Sequence, residues 1–130
     1  MNTIPYSESK AKNISLWILQ ILVALAFVGA GVSKITGQPL MVDTFTQIGV
    51  GQWLRYLTGG IEVLAAVFLL IPRLIPVGAL LLVSTMIGAV LTHLLVIGGS
   101  PVPPLVLLIL ATIIAWGRKN RLAGLLRESF

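Results

Sequence analysis

The sequence predicts an all-α membrane protein, a four-transmembrane-helix bundle with a short interfacial helix between helices 1 and 2. Its 130 residues are 57% hydrophobic and only 10% charged, with a mean hydropathy of +1.02. That composition leaves too little polar surface to cover a soluble globule. The uncharged stretches are long enough to cross a bilayer, and short breaks rich in Gly and Pro divide them. We expect a single membrane domain over residues 1–130, with a polar N-terminal tail (1–12) and a basic C-terminal tail (118–130).

Helix 1 is expected over residues 13–34. The 21 residues from 13 to 33 carry no charge, and a bilayer core needs about 20 residues of helix. A cleaved signal peptide is not expected, because no small-x-small cleavage site precedes Lys34. Small residues, among them Gly29 and Ala30, line the second half of this helix, so a neighbouring helix can approach closely there.

The loop after helix 1 predicts the interfacial helix. Gly37 and Pro39 end the first span, and the apolar residues that follow recur at helical spacing. Trp53, Arg55 and Tyr56 then fit the aromatic belt at the start of the next span. A re-entrant hairpin is the alternative, but this loop has too few residues to enter the membrane and return.

Three further spans are expected, over residues 55–71, 74–97 and 103–117. A tight turn joins the second span to the third, so these two helices are antiparallel neighbours. The 44 residues from 74 to 117 carry no formal charge, and a Gly/Pro-rich segment divides them. The fourth span is short, so it must either run nearly upright or gain length by letting Arg118, Lys119 and Arg121 snorkel toward water.

The distribution of Lys and Arg predicts the orientation. One side of the four spans carries seven of these residues and the other only Lys34 and Arg55, so the positive-inside rule places both termini in the cytoplasm. We expect a multi-pass protein of a bacterial inner (plasma) membrane, with the lipid bilayer as its first partner. Nucleic acid is not an expected partner, because the positive-inside rule itself produces basic tails. The seven residues are Lys10, Lys12, Arg73, Arg118, Lys119, Arg121 and Arg127.

The chain contains no cysteine, which excludes disulfides, thiol nucleophiles and thiolate metal sites. Any redox role therefore depends on a bound molecule. One His and one carboxylate within the spans are too few ligands for a metal ion, so no metal site is expected.

Three ionisable side chains are expected at one depth in the outer half of the bundle. At 1.5 Å per residue, Glu62 lies roughly 9–10 Å below the outer start of its helix and His93 roughly 7–8 Å below Gly98. Lys34 leans toward them from helix 1. A charge at such a depth must face other helices or a wet cavity. We therefore predict a ligand-binding pocket lined by Lys34, Glu62, His93, Arg55, Trp53, Tyr56, Gly59, Met86 and Ala89.

A structural interpretation stands beside the pocket. In it, Lys34 pairs with Glu62 to fix helices 1 and 2, and His93 bonds to a backbone carbonyl. No residue is assigned a catalytic role. Proton or solute transport is less favoured, because polar residues are expected in the outer half only and nothing ionisable continues the path to the cytoplasm.

Several short motifs together resemble the DoxX/DoxX-like family of small integral membrane proteins. They are the segment 29–34 that ends in Lys34, the segment 58–62 that ends in Glu62, Pro72-Arg73, and the segment 88–94 around His93. The resemblance covers roughly residues 16–121 and implies a four-helix transmembrane bundle. That architecture is loosely similar to quinone-reducing disulfide-forming proteins and to vitamin K epoxide reductase, whose cysteines this sequence lacks.

The resemblance implies two functions, and it leaves open whether the chain is an enzyme. The first is an accessory or redox-associated subunit that binds a quinone-like or other lipophilic small molecule around Glu62. Lys34 and His93 would donate to its carbonyl oxygens, and a partner protein would supply the oxidoreductase chemistry. The second is a non-enzymatic assembly or chaperone-type protein, acting on a partner or as a homo-oligomer, in which Lys34, Glu62 and His93 are structural.

Overall fold

A computed structural model describes residues 9–129, and every regular element in that range is helical. The expectation of an all-α fold is confirmed for these residues. The elements are α1 (Lys10–Thr36), α2 (Pro39–Ile48), α3 (Trp53–Phe68), α4 (Ile75–Thr92), a π-helical segment that continues α4 (His93–Ile97), α5 (Val102–Gly117) and α6 (Lys119–Ser129).

The ends of α1 follow from local chemistry. The hydroxyl of Ser9 accepts a hydrogen bond from the Lys12 backbone N–H at 3.1 Å and so caps the first turn. At the other end, Gly37 takes a left-handed conformation with φ +74°, which glycine adopts without steric cost. Pro39 then opens α2 at a helix position that needs no backbone N–H. This turn brings α2 into contact with α1, α3 and the π-helical segment.

The helices alternate in direction. Near the end of α1, Lys34 contacts Arg55 and Glu62 of α3. Earlier in α1, Gln20 contacts Leu69, the residue just after α3. The two helices are therefore antiparallel. The end of α5 lies beside the start of α1, as the contact of Gly117 with Leu16 shows. We call the two ends of this arrangement the Lys34 end, which carries α2, and the Arg118 end, which carries α6.

The core lies where α1, α3, α4 and α5 meet. The core contains both small and large apolar residues. The small ones let the helices approach closely, and the large ones fill the space elsewhere. Many large apolar side chains on the outward faces are exposed, as expected for surfaces that face lipid tails rather than water. The buried cluster consists of Val23, Ala24, Phe27, Ala65, Ala66, Leu69, Ile75, Ala79, Leu82, Met86, Ala111 and Ile114.

Two helical stretches in the described part of the chain are long and apolar enough to cross a membrane, α1 and residues Ile75–Ile97. A third is obtained if α5 and α6, which meet at a bend of 55°, form one broken span. The 16 residues of α3 make a helix about 24 Å long, less than the roughly 30 Å of a hydrocarbon core. Length and composition therefore support two or three membrane spans. They do not by themselves establish the four spans that the sequence predicts.

The C-terminal segment differs from the expected basic tail. Residues Lys119–Ser129 form α6, which contacts both α4 and α5. Arg118, for which snorkelling toward water was one of two alternatives, is completely buried at the junction of α5 and α6. The reason is that polar side chains of α1 receive its guanidinium inside the bundle.

Candidate functional site

Two glycines bring α1 and α3 together at the Lys34 end. A Cβ atom added at Gly31 would lie 2.7 Å from the carbonyl oxygen of Gly59, and one added at Gly59 would lie 2.8 Å from the carbonyl oxygen of Gly31. Only hydrogen atoms fit between the two backbones at this point. Lys34 follows Gly31 by three residues and Glu62 follows Gly59 by three, so each charged residue is one turn from the contact.

Lys34 and Glu62 form an ion pair across this contact. Lys34 Nζ lies 2.8 Å from Glu62 Oε1. The two side chains are unequally buried: the Glu62 side chain is 1% exposed and the Lys34 side chain is 16% exposed. The carboxylate is thus enclosed by helices while the ammonium group retains some access to the surroundings. Such a pair fixes the register of two helices, since shifting one would leave a buried charge without its partner.

Arg55 ties the start of α3 to the end of α1. Its Nη1 donates a hydrogen bond to the carbonyl oxygen of Lys34, and its Nε donates to Gln52 Oε1 at 2.7 Å. A cation at this place also interacts favourably with the unsatisfied carbonyls of the α1 C-terminus. Gln52 in turn donates to the carbonyl oxygen of Val42 at 3.2 Å, which connects the group to α2. The Lys34 end therefore holds three helices together with polar side chains.

His93 is engaged with its own segment. Its Nδ1 lies 2.9 Å from the carbonyl oxygen of Gly98, across the end of the π-helical segment. Within residues 9–129, no ion pair or hydrogen bond joins His93 to Lys34 or Glu62. The depth count from Gly98 assumes a regular α-helix, whereas residues His93–Ile97 form a π-helical segment to which that count does not apply.

The remaining residues of the predicted pocket lie in several environments. Gly59 is at the contact with α1, Met86 is buried in the core cluster, and Ala89 packs against that cluster. Trp53 and Tyr56 are exposed on α3. Trp53 Nε1 donates to the carbonyl oxygen of Val50 at 2.7 Å, and the Tyr56 ring centroid lies 4.4 Å from the Arg55 guanidinium carbon.

A second buried polar cluster lies at the Arg118 end, and sequence reasoning missed it. Arg118 Nε donates to Gln20 Oε1 at 2.7 Å, and Arg118 Nη1 donates to Asn13 Oδ1 at 3.0 Å. Gln20 Nε2 donates to the carbonyl oxygen of Leu69 at 2.9 Å. The side chains of Gln20 and Arg118 are both 0% exposed. Together they link α1, the end of α3 and the junction of α5 with α6.

The expectation that polar groups occur in the outer half only is therefore wrong. The signal that could have found this cluster is Gln20 itself, a polar side chain near the middle of a long uncharged helix, which must find a partner there. Along α1 the two clusters are roughly 21 Å apart. Apolar core residues, among them Val23, Phe27 and Ala66, lie between them. The two clusters do not form a continuous polar path, which disfavours transport.

Removing Gln20 tests the cluster at the Arg118 end. The substitution Gln20→Leu deletes the acceptor of Arg118 Nε and the donor to the Leu69 carbonyl, so two buried polar groups lose their bonds. We expect a loss of about 1–3 kcal/mol in the free energy of unfolding, measured by denaturation with sodium dodecyl sulfate in mixed micelles. Gln47→Leu, at an exposed position of α2, is the control. Equal effects of the two substitutions would contradict the role of the cluster.

Comparisons with known proteins give one match. A family model described as the DoxX-like family matches residues 18–115 of this chain. This range includes Gly31, Lys34, Gly59 and Glu62 and ends before Arg118. No curated protein and no solved structure matches the chain. The match and the apolar helices together identify a membrane protein whose outward faces contact lipid.

Proposed function

We propose that this chain, which belongs to the DoxX-like family, serves as an accessory subunit of a membrane assembly and not as an enzyme by itself. The observation that carries the proposal is the Lys34–Glu62 ion pair at 2.8 Å, whose carboxylate is 1% exposed. His93 is likewise occupied, by the carbonyl of Gly98. The three groups first considered for proton or ligand chemistry each have a partner that stabilises the fold. This arrangement favours the structural interpretation of the set.

The topology we propose has four spans, formed by α1, α3, α4 with its π-helical segment, and α5. The antiparallel order of these helices and the apolar surface around them support it. The short α3 is accommodated by local thinning of the bilayer and by Trp53 and Arg55 at its outer end. α2 lies in the interface above α1. With both termini on the basic side, the Lys34 end faces outward from a bacterial inner membrane.

The accessory role places partner contacts on the Lys34 end and on the lipid-facing helix surfaces. α2 and the start of α3 expose apolar and aromatic side chains there, including Leu40, Trp53 and Tyr56. A rigid bundle fixed by the Lys34–Glu62 pair would present these side chains in a constant arrangement. A partner membrane protein or a second copy of the chain is the expected ligand of this surface.

A second candidate function is binding of a quinone-like molecule, and one observation favours it. Lys34 is 16% exposed, and Arg55 donates a hydrogen bond to its backbone carbonyl oxygen, so a second cation lies near the end of α1. An ammonium group has three donors and a guanidinium has five, and the bonds described above use only some of them. A lipophilic molecule with carbonyl oxygens could accept the others from the outer side.

Purification in a mild detergent tests the two candidates together. For an accessory subunit we expect a stoichiometric protein partner or a homo-oligomer that persists in the His93→Ala variant, with no more quinone than an unrelated membrane protein carries. One equivalent of quinone, lost on Lys34→Met but retained in Lys10→Met, would instead establish the second candidate. Turnover of a quinone by the isolated chain would contradict the accessory role.

A further inference from the structure

A groove runs between α1 and α5 at the Arg118 end. It has a volume of about 530 Å³ and is lined by Lys12, Ser15, Leu16, Leu19, Thr112, Ile113, Trp116 and Gly117. Ligand sites in proteins span roughly 300–1,000 Å³, so the groove is large enough for part of a lipid. The small side chains of Ser15 on α1 and Thr112 on α5 both line this space.

The groove is amphipathic along its length. Leu16, Leu19, Ile113 and Trp116 supply the large apolar side chains of its wall, whereas Lys12 lines it near the start of α1. Beyond the end of α5, Lys119 Nζ lies 4.0 Å from the centroid of the Trp116 ring. Lysine and tryptophan at the end of a transmembrane helix are typical of the headgroup level of a bilayer. One end of the groove is therefore cationic and aromatic, and the rest is apolar.

We propose that this groove binds an anionic phospholipid of the leaflet at the Arg118 end. Its acyl chain lies along the wall formed by Leu16, Leu19 and Ile113, and its phosphate lies near Lys12 and Lys119. Basic pockets between transmembrane helices bind acidic lipid headgroups in this way. The proposal requires that α1 and α5 cross the membrane, and it is independent of the function assigned to the Lys34 end.

The surroundings of the groove favour lipid over another protein as its occupant. The neighbouring outward side chains are large, apolar and exposed, including Ile14, Ile18 and Ile109, so the groove opens toward the hydrocarbon of the bilayer. Lys12 lines the groove, and Lys119 contacts Trp116, which also lines it, so cations lie at this end of the groove. The charge complements an anionic headgroup.

Tryptophan quenching by brominated lipids tests the proposal. The protein, carrying Trp53→Phe, is placed in nanodiscs that contain brominated phosphatidylglycerol or brominated phosphatidylcholine. We expect stronger quenching by the anionic lipid, and a Trp116→Phe variant assigns the signal to the groove. The double substitution Lys12→Gln/Lys119→Gln removes two cations, each worth roughly fivefold in affinity for an anionic surface, so the preference for phosphatidylglycerol should fall about 25-fold.

Steric variants separate the groove from general surface charge. Thr112→Phe fills the groove and should reduce quenching by both lipids, while Arg127→Gln, a basic residue outside the groove, should leave it unchanged. Ser15→Phe replaces Thr112→Phe if the latter does not fold. The proposal would be overturned if the two lipids quench equally and neither Thr112→Phe nor Ser15→Phe changes the quenching. So would efficient disulfide cross-linking of Ser15→Cys to a second copy, a clean probe because the native chain has no cysteine.

Discussion

The substitution Lys34→Met is expected to destabilise the protein more than Glu62→Gln does. Without Lys34, the Glu62 carboxylate keeps its 1% exposure and has lost its counter-charge, a situation that costs about 3–5 kcal/mol in the free energy of unfolding. Without the charge of Glu62, the ammonium group of Lys34, near the end of α1 and 16% exposed, can extend toward the interface. We expect that change to cost only about 1–2 kcal/mol.

Denaturation with sodium dodecyl sulfate in mixed micelles measures both losses. Lys10→Met is the matched control, because Lys10 is an exposed lysine at the other end of the same helix. It should change the free energy of unfolding by less than about 0.5 kcal/mol. A larger effect for Glu62→Gln than for Lys34→Met would contradict the unequal burial of the pair.

Gly59→Ala and Gly60→Ala are expected to change stability in opposite directions. A Cβ at Gly59 would lie 2.8 Å from the Gly31 carbonyl oxygen and 2.9 Å from Lys34 Cβ, so α1 and α3 would have to separate. Overpacking of this kind costs about 1–3 kcal/mol. A Cβ at Gly60 would have no atom within 4 Å, and alanine in a helix is favoured over glycine by roughly 1 kcal/mol.

The two alanine variants differ by one residue in position and share the same chemistry, which makes Gly60→Ala a strict control. On α1, Gly29→Ala is the corresponding control for Gly31→Ala, because no atom lies within 4 Å of a Cβ added at Gly29. Unfolding in mixed micelles again gives the free energies. Equal destabilisation by Gly59→Ala and Gly60→Ala would contradict the close approach of the two backbones.

The Lys34 end illustrates what sequence reasoning can reach. A lone carboxylate in a long apolar segment requires a counter-charge, and Lys34 is the cation that an antiparallel neighbour would bring to the same depth. The sequence therefore predicts that Lys34 and Glu62 lie together, and in the structure Lys34 Nζ lies 2.8 Å from Glu62 Oε1. It cannot tell which glycine faces α1, since Gly59 and Gly60 are adjacent and only the helix rotation distinguishes them.

His93 illustrates a limit of counting residues along a helix. Counting 1.5 Å per residue assumes an α-helix, and nothing in the local sequence indicates that residues His93–Ile97 form a π-helical segment. Arg118 shows a different limit of the sequence-based prediction. A basic residue at the end of a span usually snorkels, and only the three-dimensional position of Gln20 and Asn13 shows that its guanidinium has partners inside the bundle.

The lengths of the helices show a third limit. Hydropathy separates apolar segments well, but the 16 residues of α3 are about as long as many buried helices of soluble proteins. Whether such a helix spans the bilayer depends on its neighbours and on how far the lipid adapts. These are properties of the assembled bundle and the membrane, and a single sequence does not contain them.

The coupling between Lys34 and Glu62 tests the central claim that this pair holds α1 to α3. A double-mutant cycle compares the wild type with Lys34→Met, Glu62→Gln and the double variant, each unfolded in mixed micelles. We predict that the double variant is more stable than Lys34→Met alone, with a coupling free energy of about 2 kcal/mol or more. Losses that simply add in the double variant would show that the two side chains stabilise the fold independently, and would contradict the account.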